Sequence, residues 1–132
     1  MATINLFSDG SYFCGKGPTF GWLAVAERDK VLASGSGRCR NDGTNNVAGE
    51  IVGALSALGW AVQAGFDRVI VHSDLSTLKQ HFKKVGRRPG SHSEEAVRFV
   101  ESHPEIKVEF CFTRDSNPLL RQAHHLSRSL AA

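Results

Sequence analysis

The chain has 132 residues, 41% hydrophobic and 22% charged, ordinary values for a folded domain long enough to bury a core without disulfide or metal staples. Its longest uncharged apolar run, Ile51–Val62, falls short of the roughly 20 residues a membrane span needs. Three cysteines, Cys14, Cys39 and Cys111, lack any CxxC spacing, which argues against a disulfide framework or a cysteine zinc site and for small buried thiols. The formal net charge of +3 is uneven: Lys79, Lys83, Lys84, Arg87 and Arg88 fall in one segment with no acid among them, a pattern that suits either a solvated helix end or a polyanionic partner. Met1–Asn5 has no basic flank or apolar leader. The expectation is one soluble domain over 1–132, reduced and cytoplasmic, monomeric, with no membrane contact and no obligate protein partner.

Thr3–Ser8 alternates as a strand and runs into Asp9-Gly10-Ser11, which reads as a turn. After a Gly15–Pro18 loop, Phe20–Ala26 and Val31–Ser34 read as a hairpin across the polar stretch Glu27–Lys30. Gly35, Gly37 and Gly43 surround a further extended stretch that ends at Asn41-Asp42-Gly43. The period then lengthens. Ile51, Leu55, Leu58 and Val62 recur at helical spacing over Ala48–Gly65, with Asn45 or Asn46 placed to cap the start. Val69–His72 is a short β-branched run that predicts a buried strand ending at Ser73-Asp74. A short helix over Ser76–Lys84, a helix over Ser93–Ser102, a strand over Ile106–Phe112 and a last helix opened by Asn117-Pro118 complete the chain. The order β-β-β-α-β-α-α-β-α predicts an α/β fold, a five-stranded mixed sheet flanked by helices. Trp22 and Trp60 have the spacing of core residues; His72, one pleat from Asp74 on the same face, reads as a neutral packed histidine, with a place lining the site as the alternative.

Among the acids, Asp9 ends the first strand, Asp74 ends the fourth and Glu50 lies in the first turn of the long helix. Were the first and fourth strands neighbours, these carboxylates would converge. Converging carboxylates repel unless a cation neutralises them, and oxygen-only ligation suits Mg²⁺ or Mn²⁺. The alternative is ordinary: an Asp-Gly turn, and a glutamate favoured at a helix start by the dipole.

Ser8-Asp9-Gly10-Ser11, Asn45-Asn46-Val47-Ala48-Gly49-Glu50, His72-Ser73-Asp74 and the segment Leu119–Arg128, in that order, resemble type 1 ribonuclease H over essentially the whole chain. The resemblance implies a ribonuclease H-like fold and an endonuclease that hydrolyses the RNA strand of RNA–DNA hybrids with two divalent ions. It implies that Asp9 bridges both metals, that Glu50 and Asp74 each complete one side, and that the products carry 5′-phosphate and 3′-hydroxyl ends. It further implies that Gly10, Ser11, Asn45 and Asn46 meet the hybrid, the asparagines reading 2′-hydroxyls in the minor groove. The basic segment, Lys83, Lys84, Arg87 and Arg88 included, stands where the family grips the DNA strand.

The sequence departs from that pattern in the last helix. The family's fourth carboxylate falls on His124, in Leu120-Arg121-Gln122-Ala123-His124-His125. Imidazole is a softer, uncharged donor, so the expectation is a weaker site there and a preference for Mn²⁺. If His124 is not a ligand, Asp115 or no fourth ligand takes its place; His125, rotated about 100° away, is expected to be solvated. The loop before that helix carries Arg114 where many members have histidine, and arginine holds phosphate but shuttles no proton near neutral pH. Gly49 is an extra residue between Asn46 and Glu50, and no added hybrid-binding domain is expected. Resolvase-like and exonuclease chemistry on the same fold, and a hybrid- or double-stranded-RNA-binding module without catalysis, are the alternative readings.

Overall fold

A computed structural model describes residues 3–13, 17–43, 46–83 and 89–131. The first two strands, β1 (Thr3–Phe13) and β2 (Gly17–Ala26), form an antiparallel hairpin, and β3 (Lys30–Arg38) continues the meander after a single 3₁₀ turn, Glu27–Asp29. The helix α1 (Asn46–Gln63) crosses to β4 (Arg68–Ser73); a short 3₁₀ segment (Leu78–Phe82), α2 (His92–Ser102), β5 (Lys107–Phe112) and α3 (Pro118–Ala131) follow. The sheet order is β3-β2-β1-β4-β5, with β4 parallel to both β1 and β5. This is the mixed five-stranded sheet that the switch from alternating to helical periodicity predicts.

Alternation along β1 divides the core. Ile4 and Leu6 point to the α1 side, where Ile51, Leu58, Val69, Val71 and Leu78 close a fully buried cluster. Phe7 points to the other face and packs with Leu23, Val25 and Leu120 beneath α3. At about 25 cal/mol per Å² of apolar surface removed from water, burial on two faces of one sheet is the main source of stability. Trp22 is buried and Trp60 packs against the same cluster, so both are core residues. No helix among the described residues is long and apolar enough to cross a membrane.

Three local expectations are corrected. Asp9-Gly10-Ser11 is not a turn; β1 runs through it to Phe13. Gly10 has no positive φ, and its missing side chain serves a close approach instead: a Cβ there would lie 2.6 Å from the Glu50 backbone nitrogen. Leu78 and Phe82 have helical spacing and are buried, but only five residues wind, as a 3₁₀ helix rather than the helix expected over Ser76–Lys84. Cys111 is exposed on β5 and Cys39 only half-buried; burial and the nearby Asp42 push the Cys39 thiol up to about 11. Cys14 lies outside the described residues.

The helix starts follow their capping chemistry. Ser91 accepts a hydrogen bond from the Glu94 N–H at 3.1 Å, so α2 begins one residue before the expected Ser93. The Asn117 side chain accepts from the Leu119 and Leu120 N–H groups at 2.9 and 3.2 Å, with Pro118 first in the helix as the sequence predicts.

Candidate active site

The pairing of β1 with β4 runs from Thr3–Arg68 to Phe7–His72 and stops there. Beyond it β1 continues beside β2 alone, with Asp9 opposite Gly21, while the chain leaves β4 at Asp74. The two acids therefore flank a fork in the sheet, the position where open α/β sheets gather ligands. Glu50 arrives from α1, whose first turn lies against β1 because Gly10 and Gly49 meet backbone to backbone.

Asp9, Glu50 and Asp74 each offer a carboxylate oxygen, all within 4.8 Å of one another. Asp9 is 6% and Glu50 7% exposed. Burial, and then the neighbouring Asp9 and Asp74 carboxylates, push the Glu50 carboxyl well above the usual range, while a hydrogen bond from the Gly10 backbone works against this. Ser73 donates its hydroxyl to Glu50 Oε2 at 3.3 Å and fixes the side chain. Burial, Asp9 and Asp115 likewise raise Asp74. Three like charges held this close in a partly desolvated place are unfavourable unless a proton or cation joins them. The all-oxygen donor set fits a hard divalent ion.

His124 stands over this group. Its Nδ1 lies 2.6 Å from Asp9 Oδ2, and the side chain is 41% exposed. The helix that carries it is pinned through Ser127, whose carbonyl accepts from Thr19 Oγ1 on β2 at 2.8 Å and whose hydroxyl lies 2.8 Å from that of Ser11 on β1. His125 is exposed. His124, His125 and Ser11 join the three acids in walling a cleft of about 470 Å³, whose lining also includes Tyr12, Asp115, Ser116 and Arg121.

The other expected site residues are distributed as follows. Gly10 and Ser11 line the cleft, with the Ser11 hydroxyl engaged by Ser127. Asn46 opens α1; Asn45, Lys84, Arg87 and Arg88 lie outside the described residues. Lys83 is exposed beyond the 3₁₀ segment and Arg114 is exposed before α3, and neither lines the cleft. His72 is a packed residue: it stacks on Phe7 at 4.4 Å and hydrogen-bonds Asn5 and Thr113 at 2.9 and 3.0 Å, and burial lowers its pKa. Tyr12, Ser116 and Arg121 were not expected at the cleft. For Arg121 the signal was its place three residues before His124, which puts the two on adjoining helical turns.

A sheet in the order β3-β2-β1-β4-β5 with acids at the β1–β4 fork defines a fold of the ribonuclease H type. The sequence model of the reverse transcriptase-like family matches residues 7–128, and the chain belongs to that family. Solved structures agree on the fold. Ribonuclease H1 of the halophilic archaeon Halobacterium salinarum superposes with a TM-score of 0.75 at 18% identity, 98% of each chain being covered. The N-terminal ribonuclease H domain of rv2228c from Mycobacterium tuberculosis, solved as a fusion with maltose-binding protein, gives 0.78 at 16% identity over 98% of this chain and 94% of the other. LC11 ribonuclease H1, obtained from compost by a metagenomic route and solved with an RNA/DNA hybrid, gives 0.73 at 19% identity over 96% and 94%. No curated protein sequence matches the chain.

Proposed function

We propose that the protein is an endoribonuclease that hydrolyses the RNA strand of RNA–DNA hybrids. The observation that carries this reading is the meeting of Asp9, Glu50 and Asp74 within 4.8 Å at the sheet fork, in a chain whose family and fold are those of ribonuclease H-like proteins. A pure binding module facing phosphate gains nothing from clustered buried carboxylates. Asp9, Glu50 and Asp74 would hold two ions, Mg²⁺ or Mn²⁺, with His124 at the fourth position; bound there, the ions would activate water for in-line attack on the phosphodiester and leave 5′-phosphate and 3′-hydroxyl ends.

The chain's own groups have separable tasks in this reading. Ser73 orients Glu50, and the Gly10–Gly49 contact sets how far α1 reaches over β1. Ser127 seats α3, so that His124 stays beside Asp9. Gly10 and Ser11 form the near wall against which the strand lies. Asn45, Asn46 and the basic segment that includes Lys83, Lys84, Arg87 and Arg88 hold the two strands of the hybrid, with Arg114 as a further phosphate contact.

The test is cleavage of an end-labelled RNA–DNA hybrid in Mn²⁺, in Mg²⁺ and in EDTA, with Asp9→Asn alongside. The expected result is metal-dependent cuts confined to the RNA strand and absent in the variant. Tight binding with no cut in either metal would sink the nuclease reading and leave a hybrid-binding module of the same fold.

A further inference from the structure

The cleft has a wall that the acidic floor does not explain. On α3, Leu120, Ala123 and Ser127 are buried toward the sheet, and Arg121 is turned about 100° from Leu120, exposed and on the cleft's lining. His125, one helical turn further, lines the same rim. The cleft also holds Asp9, Glu50, Asp74 and Asp115, yet the Arg121 guanidinium makes no hydrogen bond or ion pair among the described residues. Three other arginines do pair, Arg40 with Glu95, Arg68 with Glu109 and Arg98 with Glu94; Arg28 and Arg114, like Arg121, have no side-chain partner among the described residues, but neither lines the cleft. An arginine beside four carboxylates that pairs with none keeps its whole fork of N–H donors available at the mouth.

That fork matches the geometry of a phosphate oxygen pair. A phosphodiester strand that approaches an acidic floor meets repulsion except where cations stand. A guanidinium at the rim offsets this for the next phosphate along the strand. We propose that Arg121 forms a phosphate subsite, holding a backbone phosphate that flanks the reacting one and so orienting the strand across the cleft. The inference rests on the reading that the cleft takes nucleic acid, and adds a recognition group on α3.

Binding of a fluorescently labelled RNA–DNA hybrid to the full chain in EDTA, followed by anisotropy across a salt series, tests it. Arg121→Ala is expected to weaken binding roughly five- to tenfold and to lower the slope of log affinity against log salt by about 0.9, the loss of one phosphate contact. Arg121→Lys is expected to recover the slope and only part of the affinity, since a point charge replaces a fork. In Mn²⁺ the alanine variant is expected to show a raised KM at unchanged kcat, with Mn²⁺ binding measured by electron paramagnetic resonance equal to wild type. An alanine variant that keeps both affinity and slope overturns the subsite, as does a fall in kcat at constant KM. If the wild-type chain neither binds hybrid in EDTA nor cuts it in Mn²⁺, the nuclease reading fails and the subsite with it. Equal binding by wild type and variant removes the subsite alone.

Discussion

His124 and Asp9 touch at 2.6 Å, and the chemistry of that contact decides what the fourth position can do. With Nδ1 turned to Asp9, only Nε2 is left to a metal or to solvent, and it is a donor of intermediate softness where a carboxylate would bring charge. Manganese tolerates such a donor better than magnesium, so the wild-type protein is expected to cut faster in Mn²⁺. His124→Asp is expected to move the Mn²⁺/Mg²⁺ rate ratio toward magnesium by roughly tenfold, read from initial rates at saturating hybrid in each ion. An unchanged ratio would remove His124 from the metal's surroundings. The residue types at Asp9, Glu50 and Asp74 were readable in the sequence because acids at the ends of apolar segments are conspicuous. The His124–Asp9 contact was readable only as a helical position, since a hydrogen bond across 115 residues depends on how α3 is seated.

The seating of elements rests on small residues. Gly49 and Gly10 face each other where α1 abuts β1, and a Cβ on Gly49 would come within 3.0 Å of the Gly10 Cα and still closer to the Thr19 carbonyl. Overpacking of that kind costs about 1–3 kcal/mol when the backbone must shift. Gly49→Ala is therefore expected to lower the unfolding free energy, read from urea denaturation, by that amount and, by lifting Glu50 away from Asp9, to reduce cleavage more than the lost stability explains. Full activity in a folded Gly49→Ala protein would show that the α1–β1 distance is not critical. The same contact explains where sequence reading stopped. Asp9-Gly10 looks like a turn because glycine usually supplies a positive φ, and nothing local says that it serves proximity instead. By contrast Val69–His72 and Asn117-Pro118 carry their structure within a few residues, and both elements form where that chemistry puts them. The segment Ser76–Lys84 lies between these cases: a helical turn is expected there, but winding over only five residues, Leu78–Phe82, is set by the chain's turn beyond β4.

At the scale of the molecule, burying acids and a histidine makes stability depend on pH in two opposed ways. Glu50 and Asp74 hold their protons more tightly folded than unfolded, so their contributions are complete below about pH 4.5 for Glu50 and about pH 3.8 for Asp74 and are lost as pH rises through their raised values. His72 is shifted down; its contribution is present above about pH 6.5 and is lost as pH falls through its lowered value. In EDTA at pH 7.5, Glu50→Gln is expected to melt above wild type, because the amide mimics the protonated acid without the charge. The difference is expected to shrink toward pH 4.5, and Mn²⁺ is expected to raise the melting point of wild type more than that of the variant. Equal melting curves in EDTA at both pH values would mean that Glu50 is not strained by its neighbours. The fork at Phe7–His72 has one last consequence, for motion. Asp9 belongs to a strand still bonded to β2 on its far side, so it leaves its place only when the hairpin itself opens, and amide hydrogens along β1 exchange on the slow timescale of such openings. Asp74 stands just past the end of β4 and has no such tether. The site thus combines one acid held within the sheet with one carried just past a strand's end, and adjustment to an arriving strand is expected on the Asp74 side.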